Sequence, residues 1–582
     1  MRIMKRKRKP KMRILLKEVA AVGQQQHHQF FFRRPNFNHS TARHDHHTRY
    51  PATFDPNSGP LEYFQLFFPD DTFDLLVQNT NQYAASKNAG LQGGRSWKPT
   101  SIPEMKVFFG LIIYMGVFPS AQVKDYWSRD SEFPFHRIGM YLSQNRFEQL
   151  KRYFHISEPY NPGSLPQSCW YFKVAPLANL LQARYQHYFL PSSDVAVDEM
   201  MVQFTGRSAH TIMLRGKPTP QGYKILALCD HGYTYSFIFT SRTNSFAELN
   251  SYLYSGQVKL SPTSQAVYQL AYTLPSQQFS FTIYMDNYFS NIRLFHALRE
   301  RHIGACGTSR PTSAEYPKAF KFGKKKSVFP LNTLSGVVCG DVLVCLWQDN
   351  NLVRFMSTVH EITPEARNFP HKQRRRPRIT DSNRQNIERF FGNRVLVSMP
   401  TPKIAVDYNN KMNSVDLADQ YRSYYATQLR VSRVWMPLFF WLLDTTVINS
   451  WILAKITAKP NSHTAMQNIQ VHRLFRLRLA HSLIHSGYHA LHPSRAAELE
   501  NMVSHAFRPS QPLSRNFPGM RPPGNTQQSR SSGQYFLNTF STTYNYCAFP
   551  KGCEKLTRQK VANPFSFLSR TLCLITKASH RA

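Results

Sequence analysis

Acidic residues are scarce in this chain of 582 residues. Only 34 aspartates and glutamates stand against 72 lysines and arginines, which gives a formal charge of +38 at pH 7. A monomer this basic repels itself unless a polyanion or counterions neutralise it. Nucleic acid is therefore the first partner to expect, because phosphate neutralisation releases counterions and favours binding whatever the base sequence.

Long apolar runs are missing as well. The longest, residues 107–118, is much shorter than the ~20 residues that a bilayer-spanning helix needs. Asp444 and Asn449 interrupt the apolar stretch 438–453, which predicts a buried helix. The basic N-terminus has neither the apolar segment nor the small-residue cleavage site of a secretory signal. These absences argue against a membrane partner and against secretion.

The eight cysteines lack the close, regular spacing of a disulfide framework. A reducing compartment is therefore the expected setting. Aromatic residues, in contrast, make up 14% of the chain, and the 43 phenylalanines among them predict substantial hydrophobic cores.

Residues 1–58 have the composition of a disordered tail. The basic run over residues 5–13 has two open interpretations, a nuclear-import signal or DNA-gripping arm on one side and a solvated tail on the other. Histidines at positions 27, 28, 39, 44, 46 and 47 could bind a metal, but they lack a fixed ligand spacing, so low-complexity drift is the favoured explanation. For a basic DNA-binding chain, the nucleus is the expected location.

Residues 61–160 show a helical pattern of apolar side chains. Asp70 or Asp71 is expected to cap one helix. Ser101 and Glu104 form a capping box ahead of a second helix, and a third is predicted to begin near Ser143.

From residue 193 onward the pattern changes to short β-branched and aromatic segments between polar turns. Strands are predicted at 194–204, 223–229, 233–240, 279–285, 303–306, 337–347 and 352–359. A helical pattern over 292–298 separates two of them, so the core is expected to be α/β with at least one β-α-β unit. Helices are predicted again at 413–458 and 472–485, and residues 508–535 have linker composition.

Four aspartates occupy positions suited to chemistry. Asp198 lies on or just after a predicted strand, and Asp286 follows a strand directly before a helix, where α/β sheets build their sites. Asp416 and Asp419 are three residues apart near the start of a later helix, and so share one helical face. Any of these taken singly can instead be a turn or cap residue.

A divalent cation would explain acids in such positions. A buried carboxylate without a partner is strongly disfavoured, and hard carboxylate oxygens suit Mg²⁺ or Mn²⁺. In phosphodiester chemistry, two such ions ~4 Å apart activate a water or a 3′ hydroxyl and stabilise the leaving oxygen. Three acids from two strands and one helix, in a basic protein, match that requirement.

The sequence resembles the piggyBac transposases and their domesticated derivatives over roughly residues 60–455. The resemblance lies in an ordered set of motifs, highly specific as a set: Val197-Asp198-Glu199-Met200-Met201, Gly222-Tyr223-Lys224, Cys229-Asp230-His231-Gly232-Tyr233, Met285-Asp286-Asn287-Tyr288-Phe289, and Tyr408-Asn409 through Val415-Asp416 to Asp419-Gln420. Upstream, Phe108-Phe109-Gly110 through Met115-Gly116, and Asn145-Arg146-Phe147, are similar to the N-terminal region of that family.

The resemblance implies an α/β fold with an RNase H-like catalytic core, a mostly helical N-terminal DNA-binding and dimerisation domain, and a β-rich insertion domain. It implies that Asp198, Asp286 and Asp416 are catalytic and bind Mg²⁺ or Mn²⁺. Asp419 would be the additional catalytic aspartate. The implied activity is that of a DDE/D transposase, which cuts transposon ends and joins them to TTAA targets. Double-stranded DNA and a second copy of the chain, in a homodimer, are the implied partners.

The predicted domain organisation has seven regions. They are a disordered basic tail (1–58), a helical DNA-binding and dimerisation region (59–190), the first part of the RNase H-like core (191–310), an insertion domain (311–405), the returning core with the third aspartate (406–458), a second helical DNA-binding or dimerisation region (459–507), and a linker with a degenerate cysteine-containing tail (508–582).

Two departures from the family pattern stand out. Asn413-Ser414 replaces the two glycines usual before the third aspartate; both residues can cap a helix, but neither has the backbone freedom of glycine. At the C-terminus, the spacing of Cys547, Cys553 and Cys573 falls short of the paired cysteines of a zinc module, so zinc is not expected there.

The basic groups expected to touch DNA lie near the first aspartate and within the insertion: Lys217, Lys224, Lys324, Lys325, Lys326, Arg374, Arg375 and Arg376. Each cluster can equally be a solvated face. Trp435 and Trp451 lie in an apolar helix and are expected to be core residues rather than stacking platforms.

Two functions remain open from the sequence. The first is an active transposase, supported by the presence of all four acids. The second is a domesticated, non-catalytic DNA- or chromatin-binding derivative of the same fold, supported by the changed pair before Asp416 and by the degenerate tail. An RNA-binding role is a weaker third, because no aromatic-glycine RNA motif is present.

Overall fold

The computed structural model describes residues 42–90, 95–159, 170–243, 256, 259–321, 332–349, 351–362, 370–381, 384–458 and 472–494. All of these lie within the first of two units of the chain, Met1–Ala506. The basic run 5–13, the lysines at 324–326, the linker 508–535 and the three C-terminal cysteines lie outside the described residues.

Helices dominate the first part of the fold. They are α1 (Pro60–Gln65), α2 (Asp70–Ser86), α3 (Ile102–Val117), α4 (Gln144–Tyr153) and α5 (Ala175–Tyr188). The Glu104 N–H donates to Ser101 Oγ at the start of α3 (3.5 Å), and Ser143 caps α4 in the same way, so both predicted starts are confirmed. The predicted cap of α2 was wrong. Pro69 is its N-cap residue, and the two aspartates lie in the first turn, where their charge favours the positive end of the helix dipole.

Two short strands, β1 (His47–Thr48) and β2 (Phe189–Leu190), pair with each other and join the N-terminal segment to the end of α5. A nine-stranded mixed sheet follows. Its strands are β3 (Asp194–Gln203), β4 (Ile212–Met213), β5 (Gln221–Asp230), β6 (Tyr233–Thr240), β7 (Phe281–Met285), β8 (Ile303–Thr308), β9 (Leu334–Cys339), β10 (Val342–Gln348) and β11 (Leu352–Ser357). The order is β4-β5-β3-β7-β8-β11-β10-β9, and β6 pairs with β5 on the same edge as β4, away from β3.

Strand direction divides this sheet. β3, β5 and β6 form an antiparallel meander, whereas β7 runs parallel to β3 and β8 parallel to β7. Parallel neighbours need a crossover, and α6 (Pro262–Tyr272) and α7 (Ile292–Glu300) provide one before and one after β7. The predicted β-α-β unit is therefore confirmed. Every residue of β7 is buried, as in a strand that helices cover on both faces.

The segment predicted as an insertion shares hydrogen bonds with this sheet, because β11 pairs antiparallel with β8. The single strand predicted over 337–347 is in fact two strands, since Gly340, with φ +60°, turns the chain between β9 and β10. A separate hairpin consists of β12 (His371–Arg375) and β13 (Leu396–Pro400), with α8 (Arg384–Phe391) between the two strands.

Four helices complete the described chain: α9 (Lys403–Lys411), α10 (Ser414–Tyr424), α11 (Met436–Thr457) and α12 (His472–Leu491). By length and composition alone α11 could cross a membrane, but its apolar window is buried inside the fold. The buried helix predicted from the sequence is confirmed, and Trp435 and Trp451 are core residues with 5% and 4% exposure.

The pairing of β3 with β5 depends on a close approach at Gly222. A Cβ added there would lie 1.8 Å from the carbonyl oxygen of Val202 on the facing strand, so the strands would have to separate. We expect Gly222→Ala to lower the free energy of unfolding by ~2 kcal/mol or more. Urea denaturation followed by tryptophan fluorescence would measure the loss.

Gly59→Ala is the matched control for this substitution. A Cβ at Gly59 meets only the movable end of the Glu62 side chain, at 3.1 Å, so its effect should be small. Equal midpoints for the two variants would contradict the close approach of β3 and β5.

Candidate functional site

Asp198 and Asp286 lie at equivalent positions of two neighbouring strands. β3 and β7 are parallel, and their register pairs Val197 with Met285. Each aspartate is the next residue along its strand, and adjacent strands lie ~4.8 Å apart. The sheet therefore places the two carboxylates, 88 positions apart in sequence (286 − 198), at the same level.

Backbone N–H groups orient both side chains. One carboxylate oxygen of Asp286 accepts from the Tyr288 N–H (2.7 Å), the hydrogen bond of an Asx turn where the strand ends. The Oδ1 atom of Asp198 accepts from the Glu199 N–H, also at 2.7 Å. These hydrogen bonds hold both carboxylates at the ends of their strands' paired segments.

Burial makes the charged forms of these carboxylates costly. It is the main cause that raises the pKa of Asp198 to about 7, and the neighbouring charges of Glu199 and Asp286 raise this pKa further. Burial also raises the pKa of Asp286, and Glu199 adds to it, against the opposing hydrogen bond from Tyr288. The pair thus forms a negative centre that the surrounding protein compensates incompletely.

The third aspartate belongs to α10, which packs against β3 and β5. The Asp416 side chain is exposed at this helix's first turn. Asp419, one turn further, accepts a hydrogen bond from Arg422 (2.7 Å), and the same guanidinium donates to the Met201 carbonyl of β3 (2.9 Å). Asp419 is therefore held in an ion pair that fastens α10 to the strand of Asp198.

The two residues that replace the family's glycines have distinct environments. Asn413 is the N-cap residue of α10 but makes no side-chain cap hydrogen bond. Ser414 is buried, and its Oγ accepts from the His231 N–H (3.2 Å) in the turn between β5 and β6. The serine thus ties the start of the Asp416 helix to the sheet.

Two predicted lysines converge on Glu199. The Nζ atoms of Lys217 and Lys224 lie 3.5 Å and 3.6 Å from its carboxylate. Burial alone would lower the pKa of Lys217. The charges of Glu199 and Asp198 outweigh burial and raise this pKa, and Asp416 contributes as well. Lys217 therefore lies within the field of the first and third aspartates.

Glu199, Tyr288 and Arg310 were given no role from the sequence. The Tyr288 ring is 42% exposed, and Lys224 Nζ lies 4.3 Å from its centroid. Arg310 approaches the same ring at 6.0 Å and donates to Asn287 Oδ1 (2.6 Å). Glu199 directly follows Asp198 and Tyr288 lies two positions after Asp286, which was a signal for both, whereas nothing in the sequence around Arg310 linked it to them.

The three predicted arginines of the insertion lie on or just after β12. Arg374 forms an ion pair with Asp349 and stacks over the Trp347 ring at 5.1 Å. Arg376 donates to the Gly392 carbonyl (3.1 Å), and Arg375 is exposed. Two of the three therefore have partners within the protein.

Within the described ranges, the only His, Cys, Asp and Glu group whose ligand atoms all lie within 4.8 Å of one another is His46, Asp230 and His231. The predicted triad of Asp198, Asp286 and Asp416 is thus more open than that group. Asp198 and Asp286 lie on neighbouring strands, whereas Asp416 lies on the helix that packs against β3.

Comparison with known proteins places this arrangement among transposases. A family model described as Transposase IS4 matches residues 59–451. PiggyBac transposable element-derived protein 2 of Homo sapiens is 23% identical over 403 residues, 68% of this chain and 62% of that protein. PiggyBac transposable element-derived protein 3 of Homo sapiens is 24% identical over 400 residues, 68% of this chain and 61% of that protein. The matches therefore span about three fifths of these relatives.

A solved structure shows the same fold. It is the cryo-EM structure of a piggyBac transposase synaptic complex with hairpin DNA, which matches with a TM-score of 0.60 and 20% identity. The match covers 80% of this chain and 87% of that one.

Proposed function

We propose, from the premise that this chain belongs to the piggyBac transposase family, that it cleaves transposon ends and joins them to TTAA targets in a Mg²⁺-dependent reaction. One observation carries the proposal. Asp198 and Asp286 follow paired residues of two parallel strands, and the helix that bears Asp416 packs against the first of these strands.

The strand arrangement supports an RNase H-like catalytic core. Three antiparallel strands, in the order β6-β5-β3, continue into β7 and β8, which run parallel to β3 and are connected through helices. In open α/β sheets, sites form at the carboxyl ends of such parallel strands. Asp286 stands at one such end.

The donor set fits Mg²⁺ or Mn²⁺. All the available ligands are carboxylate oxygens, which such hard cations prefer. Burial, followed by the charges of Glu199 and Asp286, raises the pKa of Asp198 to about 7, and a bound dication would favour the charged form of this carboxyl. Mg²⁺ usually retains several waters, so a closed shell of three protein oxygens is not required. When bound, such ions activate the attacking hydroxyl or water and stabilise the leaving oxygen.

The neighbouring side chains would bind and orient DNA. Lys217 and Lys224 bring positive charge beside the carboxylates, where a phosphate would otherwise be repelled. The exposed Tyr288 ring offers a stacking surface for an unpaired base at a cut end. Arg310, next to that ring, is placed to pair with a phosphate.

The proposal extends to partners and location. Double-stranded DNA is supported by the net charge of +38 and by the fold shared with a DNA-bound transposase. A homodimer would allow two DNA ends to be processed together. A nuclear location would give access to the target.

A cleavage assay with the full chain tests this function. The purified protein would be incubated with Mg²⁺ and labelled duplexes that carry candidate terminal repeats next to TTAA, and nicked, hairpin and joined products would be resolved on denaturing gels. Products that appear only with Mg²⁺ are expected. Tight DNA binding without any product under Mg²⁺ or Mn²⁺ would instead support the non-catalytic, domesticated derivative.

The raised pKa of Asp198 predicts a pH dependence of stability in the metal-free protein. The folded state binds more protons than the unfolded chain between about pH 4 and about pH 7. Stability should therefore fall as pH rises through that window and then level off. Asp198→Asn removes the charge, so in EDTA its melting temperature at pH 8 should exceed that of the wild type. Mg²⁺ should stabilise the wild type more than the variant.

Calorimetry at several pH values would check this expectation. Asp130→Asn, a charge change at an exposed position, is the matched control. A wild-type pH profile identical to that of Asp198→Asn would show that the carboxylate is not buried in the way described.

A further inference from the structure

His46, Asp230 and His231 form a cluster apart from the carboxylates of the proposed reaction. Asp230 ends β5, three residues beyond Ala227, the partner of Asp198. This distance is about 10 Å along the strand. Asp230 is buried, at 0% exposure, and one candidate ligand atom from each of the three residues lies within 4.8 Å of the others.

Two separate segments bring these side chains together, the N-terminal segment with His46 and the β5–β6 turn with Asp230 and His231. His46 directly precedes β1, and its ring stacks on Phe189 of β2 at 5.9 Å. The ring of His231 lies 5.8 Å from the ring of His46. His231 Nδ1 is hydrogen-bonded to Asp230 Oδ1, and the second carboxylate oxygen accepts from the Ser192 N–H (2.7 Å).

The backbone of His231 adopts a conformation that is uncommon outside glycine. His231 and Gly232 both have positive φ, +48° and +90°, as in the two-residue turn that favours Asn-Gly. A histidine in the left-handed region costs conformational energy that asparagine or glycine would largely avoid. The turn nevertheless directs an imidazole toward a buried carboxylate and a second imidazole.

We propose that His46, Asp230 and His231 bind one zinc-class dication. Two imidazoles and one carboxylate are a ligand set that suits Zn²⁺ better than Mg²⁺. The His231 side chain is 65% exposed, which leaves a path for the ion and a side open to a water ligand. The Ser192 N–H donates to the other oxygen of the Asp230 carboxylate and so orients it, as outer-shell donors do in metal sites.

To bind one ion, the three ligand atoms would have to move only slightly closer together. Ligand atoms of a tetrahedral zinc site with bonds of ~2.05 Å lie ~3.4 Å apart, compared with the present limit of 4.8 Å. The hydrogen bond between Asp230 and His231 would be exchanged for metal bonds, with the proton of His231 Nδ1 released or moved to Nε2. The His231 ring is exposed and free to rotate, whereas the His46 ring is half-buried against Phe189.

Such a site would pin the N-terminal segment to the sheet beside the helix of Asp416. The His231 N–H already donates to Ser414 Oγ at the start of α10 (3.2 Å). Gly232 in the same turn is close to the Tyr421 ring of α10, because an added Cβ would lie 2.8 Å from it. The metal would therefore cross-link residue 46, the β5–β6 turn and, through that turn, α10.

Metal content of the full chain tests the proposal. Wild type, His231→Asn, His46→Gln and the control His47→Gln would be loaded with Zn²⁺ and freed of loosely bound ion by gel filtration. Zinc would then be measured by mass spectrometry. His231→Asn keeps the turn, because asparagine tolerates positive φ, and His47 is an exposed neighbour on the same segment. We expect the first two variants to lose about one equivalent of zinc per chain and the control to lose none.

Cobalt spectroscopy separates this site from other histidines and from the cysteines. Co²⁺ bound by two imidazoles and a carboxylate gives visible d–d bands without thiolate charge-transfer absorption. Loss of the N/O-type bands in His46→Gln and His231→Asn, with circular dichroism unchanged, would support the proposal. Equal zinc content and equal spectra in wild type and His231→Asn would overturn it, whatever the cleavage assay shows.

Discussion

Asp286→Asn is expected to lower the rate of DNA-end cleavage by at least ~10³-fold while DNA binding persists. The substitution is isosteric, and the amide oxygen can still accept the Tyr288 N–H at the end of β7. It removes the anionic oxygen that would bind a divalent cation, an interaction worth several kcal/mol in the transition state. A 10³-fold loss corresponds to about 4 kcal/mol at 1.36 kcal/mol per tenfold.

Single-turnover cleavage and fluorescence anisotropy would measure the two effects separately. Asp381→Asn is the control with the same change of charge, since the Asp381 side chain is fully exposed and lies 3.9 Å from Arg384. Its cleavage rate should match that of the wild type. Cleavage by Asp286→Asn within a few-fold of the wild-type rate would remove this residue from the catalytic assignment. Weakened DNA binding by this variant alone would indicate a positioning role.

Local sequence patterns predict the individual strands of the sheet but not all of their pairings. The strands β3, β5, β6, β7 and β8 could be predicted because each is a short apolar run bounded by polar turns. The position of Asp286 after β7 was predictable for the same reason. The pairing of β11 with β8 was not, because no local pattern encodes which distant strand completes a sheet edge.

The contacts around the aspartates could not be predicted from the sequence without the fold. Arg422 joins Asp419 to the Met201 carbonyl across 221 positions of sequence, and His46 meets His231 across 185 (231 − 46). Spacing rules describe one helix or one turn and cannot anticipate such pairs. His46 illustrates the consequence, because its histidine-rich neighbourhood favours compositional drift as the explanation, whereas in the fold its ring lies close to a buried carboxylate.

Asp444→Leu is expected to lower the free energy of unfolding by ~3–5 kcal/mol, because it leaves a buried arginine without its counter-ion. Asp444 on α11 and Arg476 on α12 are 1% and 0% exposed, and their N···O distance is 3.0 Å. Arg476 also donates to the Tyr425 carbonyl (2.7 Å) and to His472 Nε2 (2.9 Å). Burial, with the charge of Arg476, lowers the pKa of His472 to about 2, so this imidazole is a neutral acceptor and cannot replace the carboxylate.

A double variant distinguishes charge balance from packing. Asp444→Leu combined with Arg476→Met removes both charges, so it should lose less stability than the sum of the two single variants. Asp381→Leu, at the exposed pair with Arg384, should change stability by no more than ~1 kcal/mol. Urea-unfolding midpoints of the wild type, the two single variants, the double variant and Asp381→Leu would measure these differences. The pair also binds the segment that follows the Asp416 helix, since Arg476 donates to the Tyr425 carbonyl and Asp444 accepts from the Thr427 N–H. Strictly additive losses would mean that the two side chains act independently. In that case their mutual charge would not hold this segment in place.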